Sequence, residues 1–198
     1  MNSPTHILIA ETLFSRKLVA GASWAAATGA LVPDVFLAFF VIYGLATGLD
    51  GNTLWNIAYF QEPWTTIGSV SNSIPLWLAI ALCGYFAQKQ SRSDRQLWYG
   101  KLVCIFAFSG LLHVLVDLTT HAEDAHQHFW PISNWKFHSP ISYWDPAHSA
   151  RWVMLFEGML VFTSTFLLWS RAKSRRIKFL LALTVLYGAL LIVGSQLR

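Results

Sequence analysis

Six apolar runs, 18–32, 35–47, 74–87, 99–120, 152–170 and 179–195, set the terms on which this chain can fold. Between them they carry only Lys101, Asp117 and Glu157 as charged groups. The whole chain is 55% hydrophobic and 12% charged, with a mean hydropathy of +0.45. That is the composition of a protein dissolved in a bilayer. In lipid, every backbone N–H and C=O must be satisfied within the segment, which makes these runs helices. The expected fold is all-α: a polytopic integral membrane helical bundle, one domain over residues 1–198, with short re-entrant or interfacial helices. The lipid bilayer is its expected partner. The net charge of +4 gathers in short clusters between the apolar runs, so no nucleic-acid partner is read from it, and no protein partner is evident.

The clusters also orient the chain. Residues 16–17, 88–101 and 171–178 hold eleven of the fourteen Lys and Arg residues; Lys136, Arg151 and Arg198 remain outside them. Placing these three clusters in the cytoplasm satisfies the positive-inside rule. The loop between the fourth and fifth runs, 121–150, then faces the extracytoplasmic side. The run 171–178 reads as a topology determinant or a contact for anionic lipid. Tryptophans 98, 130, 135, 144, 152 and 169 flank the runs as an interfacial belt does.

Smaller features complete the chain. Ser3-Pro4 can cap and open a helix over 3–15 that is too short to span a bilayer of about 30 Å. No basic stretch precedes it, so it does not read as a cleaved signal peptide. The small residues of 18–32 allow close helix packing. Pro33 breaks or kinks the following helix, and Asp34 is either its N-cap or a functional carboxylate. Residues 48–71 read as an amphipathic loop on the membrane. Cys83 and Cys104 read as small apolar core residues. Glu157 reads as paired with Arg151 or a neighbouring span.

The polar residues are concentrated elsewhere. Six of the seven histidines and four of the ten acids fall between Ser109 and His148. His113, Asp117 and His121 are four residues apart each time. On a helix they share an arc of about 80°, a polar seam on an otherwise apolar face. Such a seam is either a helix end whose polar residues pair with one another or part of a cation site. With His126 and His128 just downstream, a cation site is favoured. Imidazole and carboxylate without thiolate suit zinc, manganese or iron.

Thr5-His6-Ile, Gly29-Ala-Leu-Val-Pro33-Asp34, His113-x-x-x-Asp117 and His128-Phe-Trp-Pro131 follow in that order. Together they resemble the bacterial membrane-bound metal-dependent hydrolase family, which is related to zinc-dependent phospholipase C and includes a LexA-binding inner-membrane branch. The resemblance implies His6, Asp34, His113 and Asp117 as ligands of a divalent metal, with zinc first and manganese or iron as alternatives. It also implies residence in a bacterial inner membrane. One position departs: the family's Arg-x-x-Thr-His-Ser element is replaced by Ser69-Val-Ser-Asn72-Ser73, with Asn72 in the histidine's place. His121, His126 or His128 can supply the missing ligand.

The expected function is hydrolysis of an ester or phosphoester, a lipid among them, at the membrane surface. Glu123 or Asp124 is the candidate general base, and His121, His126 or His128 the candidate general acid. Two other readings stand beside it: a non-catalytic metal-binding scaffold, and an ion or solute transporter using Asp34 and Glu157. The orientation is testable in a background lacking Cys83 and Cys104. Trp135→Cys should react with a membrane-impermeant maleimide in intact cells, and Arg92→Cys only after permeabilisation. The opposite labelling would invert the topology.

Overall fold

The structure, a computed structural model, describes residues 1–15 and 19–197; Arg16, Lys17, Leu18 and Arg198, which enter the charge count above, lie outside the described residues. Its helices are α1 (Ser3–Phe14), α2 (Ala22–Leu31), α3 (Val35–Thr47), α4 (Gly51–Asn56), α5 (Trp64–Ser71), α6 (Ile74–Lys89), α7 (Asp94–Leu118), α8 (Ala150–Arg171) and α9 (Arg175–Gln196). No strand occurs among the described residues. The protein is an all-α bundle. Five stretches are long and apolar enough to cross a membrane: Ala22–Thr47, Trp64–Lys89, Asp94–Leu118, Ala150–Arg171 and Arg175–Gln196.

Pro33 does less than the sequence led one to expect. Its missing N–H falls in a single 3-10 turn, Val32–Asp34, that joins α2 to α3 with no loop between them. The turn leaves Asp34 at the joint between the two helices, where its side chain makes no capping bond. The segment 48–71 is not a loop. Asp50 caps α4 by accepting from Asn52 N at 3.0 Å and Thr53 N at 3.1 Å. A 3-10 turn, Ala58–Phe60, and α5 follow. Ser73 then caps α6 through Leu76 N at 3.2 Å, so α5 and α6 form one apolar stretch interrupted at Asn72.

Small residues hold the spans together, as expected where lipid supplies no hydrophobic drive between helices. Ala22, Ala26, Gly29 and Ala30 are the buried face of α2, which lies against α1 and α7. A Cβ on Gly29 would overlap the backbone carbonyl of Phe106, and one on Gly110 would overlap the Trp77 ring. The helices pair as α6 with α7 and α8 with α9, and short α1 sits among α2, α7 and α8. Cys104 is half-buried and bonded by Gln88, whereas Cys83 is exposed on the lipid side and is no core residue.

Helix α1 is positioned through its first turn. Its N-cap is Asn2, one residue earlier than Ser3-Pro4 implied. Glu157, fully buried on α8, accepts from Asn2 N at 2.9 Å, Asn2 Nδ2 at 3.0 Å, Thr5 Oγ1 at 2.6 Å and Tyr187 OH at 3.3 Å. Its partners are therefore α1 and α9; Arg151 bonds Gln196 instead. The opposite end of α1 is fixed by Arg171, which donates to Thr12 O at 3.0 Å. Because Gly29 meets backbone that cannot move aside, Gly29→Ala should destabilise the bundle by about 1–3 kcal/mol. Thermal unfolding in detergent, followed by circular dichroism, should show the lowered midpoint.

Candidate metal centre

The polar seam of α7 runs off the helix's final turn. His113 and Asp117 are helical, and His121 stands just past the end at Leu118, with the chain turned so that it stays in line. The 121–149 loop secures that turn: Ser139 N donates to His121 O at 3.0 Å and Tyr143 N to Thr120 O at 3.1 Å.

Asp117 is the meeting point. His113 Nε2 lies 3.0 Å from its Oδ2 and His121 Nε2 3.5 Å from the same oxygen. His6 Nε2, from α1, lies 3.0 Å from Oδ1, and the Met1 amino group 2.6 Å from it. Asp34 Oδ1 is 3.4 Å from His113 Nε2, while its Oδ2 accepts from Ser3 Oγ at 2.5 Å. The His6 and His113 rings stack at 3.7 Å. One ligand atom each from His6, His113 and Asp117 falls within a 4.8 Å span. The N-terminal helix, the Pro-Asp turn and α7 thus deliver side chains distant in sequence to one buried point.

These residues fit a cation. His113 Nδ1 donates to Ala30 O at 2.6 Å, which orients the ring with Nε2 facing Asp117 and Asp34. His121 Nδ1 likewise bonds Asp124 Oδ2 at 2.8 Å. Both Nε2 atoms are buried and make no hydrogen bond, although they point at the same carboxylate oxygen. Buried polar atoms are ordinarily paired. Ligand atoms about 2.0–2.2 Å from a tetrahedral ion sit about 3.3–3.6 Å from each other. The separations around Asp117, 3.0 to 3.5 Å, lie close to that spacing. The donors are imidazole and carboxylate, the set that suits zinc, manganese or iron.

The remaining candidates take different places. Asp124 accepts from His121 Nδ1 and from Trp144 Nε1 at 3.0 Å, so this oxygen orients His121. Burial raises the Asp124 carboxyl, but His121 and the Trp144 donor outweigh it and hold the group below its ordinary range. Burial also works against a charged His121; Asp117 and Asp124 overcome it and push the imidazole up to about 9. His126 is driven down to about 3 and His128 to about 4, by burial first and then by the charge of His121. Those two rings are neutral at pH 7, and neither nitrogen of His128 has a hydrogen-bond partner. Glu123 is exposed at the rim. Asn72 is buried, and its amide donates to Gly68 O and Ser71 Oγ, within its own turn. His138 and His148 brace the loop, on Ala122 O at 2.8 Å and Asp145 Oδ2 at 2.7 Å.

A cleft of about 740 Å³ opens above Asp34, Asp117, His121 and Asp124. Its walls are aromatic: Phe36, Trp55, Tyr59, Phe60, Tyr143 and Trp144. Burial pushes the Tyr59 and Tyr143 phenols up, so both stay protonated. These aromatics, with Ser3 and the Ala30 carbonyl, escaped sequence reading because no spacing links them to the seam. Compared with protein-family models, curated proteins and solved structures, the chain gives no match.

Asp124 Oδ2 orients His121, so Asp124→Asn should leave the helices intact and weaken zinc binding. Loss of such a supporting carboxylate lowers affinity about 10–100-fold. A chelator-competition titration of the detergent-purified protein measures it.

Proposed function

We propose that the protein is a membrane-bound metal-dependent hydrolase acting on an ester or phosphoester at the membrane surface. The observation that carries this is the pair of buried, unbonded Nε2 atoms of His113 and His121 converging on Asp117 beside His6 and Asp34. The resemblance in sequence supports the same reading. His6, Asp34, His113 and Asp117 would hold the ion, preferably zinc, with manganese or iron as alternatives. His121 stands in for the histidine that Asn72 replaces.

A bound divalent ion would lower the pKa of a water and polarise a phosphoryl or acyl oxygen. The chain's own contributions are positional. The Ala30 carbonyl and Asp124 hold His113 and His121 with Nε2 facing inward. Glu123, an exposed carboxylate on the cleft wall, would accept a proton from water. The aromatic walls exclude bulk water around the reacting group. The described residues lining the cleft include no Lys or Arg, so recognition of a phosphoester would fall to the ion.

The lipid bilayer is the natural source of substrate, because the centre lies where the apolar helix α7 ends. The basic clusters at 88–101 and 171–178 support an orientation with the histidine loop outside, and the resemblance implies a bacterial inner membrane. Asn72 favours the alternative of a non-catalytic metal-binding scaffold. A transporter draws less support: the Glu157 carboxylate is occupied by Asn2, Thr5 and Tyr187 in holding α1.

Metal analysis of protein purified in mild detergent tests the reading. Wild type should carry about one divalent ion per chain, and His113→Ala and Asp117→Ala should carry none. Equal, sub-stoichiometric metal in all three would end the metal hypothesis. Metal-loaded wild type that hydrolyses no lipid ester faster than those variants would leave the scaffold.

A further inference from the structure

A second cavity, of about 350 Å³, lies between α7 and α8, on the side of Met1 away from the aromatic cleft. It exists because α1 is short. Helices α7 and α8 have 25 and 22 residues, whereas α1, which lies between them, has 12. The space α1 leaves is lined by Ile9, Val116, Val153, Phe156 and Leu160. Trp152 and Phe156, 65% and 55% exposed, stand at its open side, towards lipid. From Trp152 to Leu160 it follows α8 for about 12 Å.

Its polarity is graded. The far end is aliphatic. The near end carries the hydroxyls of Thr119, Thr120 and Ser149. Thr120 Oγ1 accepts from the Met1 amino group at 3.3 Å, and that amino group contacts Asp117. Met1 lines both cavities. A slot that is apolar along a span, polar at the interface and one residue from the cation centre has the amphipathic order of a membrane lipid.

We propose that this groove seats an acyl chain of the substrate, a bilayer lipid that reaches the centre sideways between α7 and α8 with its ester beside Met1. This rests on the hydrolase reading and names its substrate class and route. Tails leave one apolar medium for another, so the groove contributes register more than affinity. A lipid monomer taken from water would instead gain about 0.8 kcal/mol, about fourfold, for each methylene buried.

The test uses the full-length protein in phosphatidylethanolamine–phosphatidylglycerol vesicles containing a phosphatidylethanolamine with a mid-chain diazirine. Illumination should label 116–120 and 152–160 preferentially. Leu160→Trp, at the far end, and Ile141→Trp, at the mouth, should each cut that labelling several-fold while binding as much metal as wild type, which shows them folded. Labelling spread equally over the outer face of α9, unchanged in both variants, would reduce the groove to ordinary lipid contact and overturn the proposal. A complementary readout is KM for water-soluble short-chain phosphatidylethanolamines, which should fall about fourfold per added methylene in wild type and flatten in Leu160→Trp. If the protein binds metal yet hydrolyses nothing, the labelling still decides the groove. If esters are cleaved but labelling is uniform, the groove falls and the hydrolase stands.

Discussion

The Asp117 carboxylate is the constraint from which the rest of the architecture follows. It is buried at the end of a membrane-spanning helix, where an unpaired anion would cost several kcal/mol. Compensation cannot come from α7 alone, since His113 and His121 reach only one of its oxygens. The other is met by His6 and the Met1 amino group. Folding the N-terminal segment back into the bundle is therefore not optional: without it, half of this carboxylate has no partner.

A second buried carboxylate determines how that segment lies. Glu157 on α8 takes Asn2 and Thr5, while Asp117 on α7 takes Met1 and His6. Thr5 and His6 are neighbours about 100° apart around α1, so one helical turn can face both carboxylates at once. The result is a short helix clamped between two long ones by its polar first turn. Beyond that turn, Ile7, Ala10 and Phe14 pack against Ala22, Ala26 and Ala30 of α2. Few other placements would satisfy both acids, and that gives the His6 ring its stacked position on His113.

How much of this was legible in the sequence follows from range. Composition and the uncharged runs were enough for an all-α membrane bundle, because lipid leaves the backbone little choice. The four-residue spacing of His113, Asp117 and His121 showed one face of one helix. Joining His6 and Asp34 to that face took the resemblance to known motifs, since no local periodicity connects α1 to α7. Local rules failed where tertiary contacts decide. Asp34 could be read as a cap or as a functional carboxylate; it stands at the N-cap position without a capping bond, and its carboxylate faces His113 and Ser3. Residues 48–71 looked like a loop because their polar residues are frequent, yet Asp50 is there as the cap that starts α4. Asp124, a candidate base next to the histidines, accepts through Oδ2 from His121 three residues away.

The centre's depth also has a physical reason. A carboxylate and three imidazoles in the middle of α7 would have to be satisfied wholly by other spans. At the helix end, the 121–149 loop can fold over them and provide backbone and side-chain partners that no span offers. At the same helix end the aromatic cleft lies over Asp34, Asp117 and Asp124, and the apolar groove lies beside α8. On the proposed reading, water would reach Asp117 through the cleft and lipid through the groove, and the two would meet at Met1. A site that joins water to a lipid ester needs both approaches, and a helix end lying under a folded loop is a place in a bilayer where both are available.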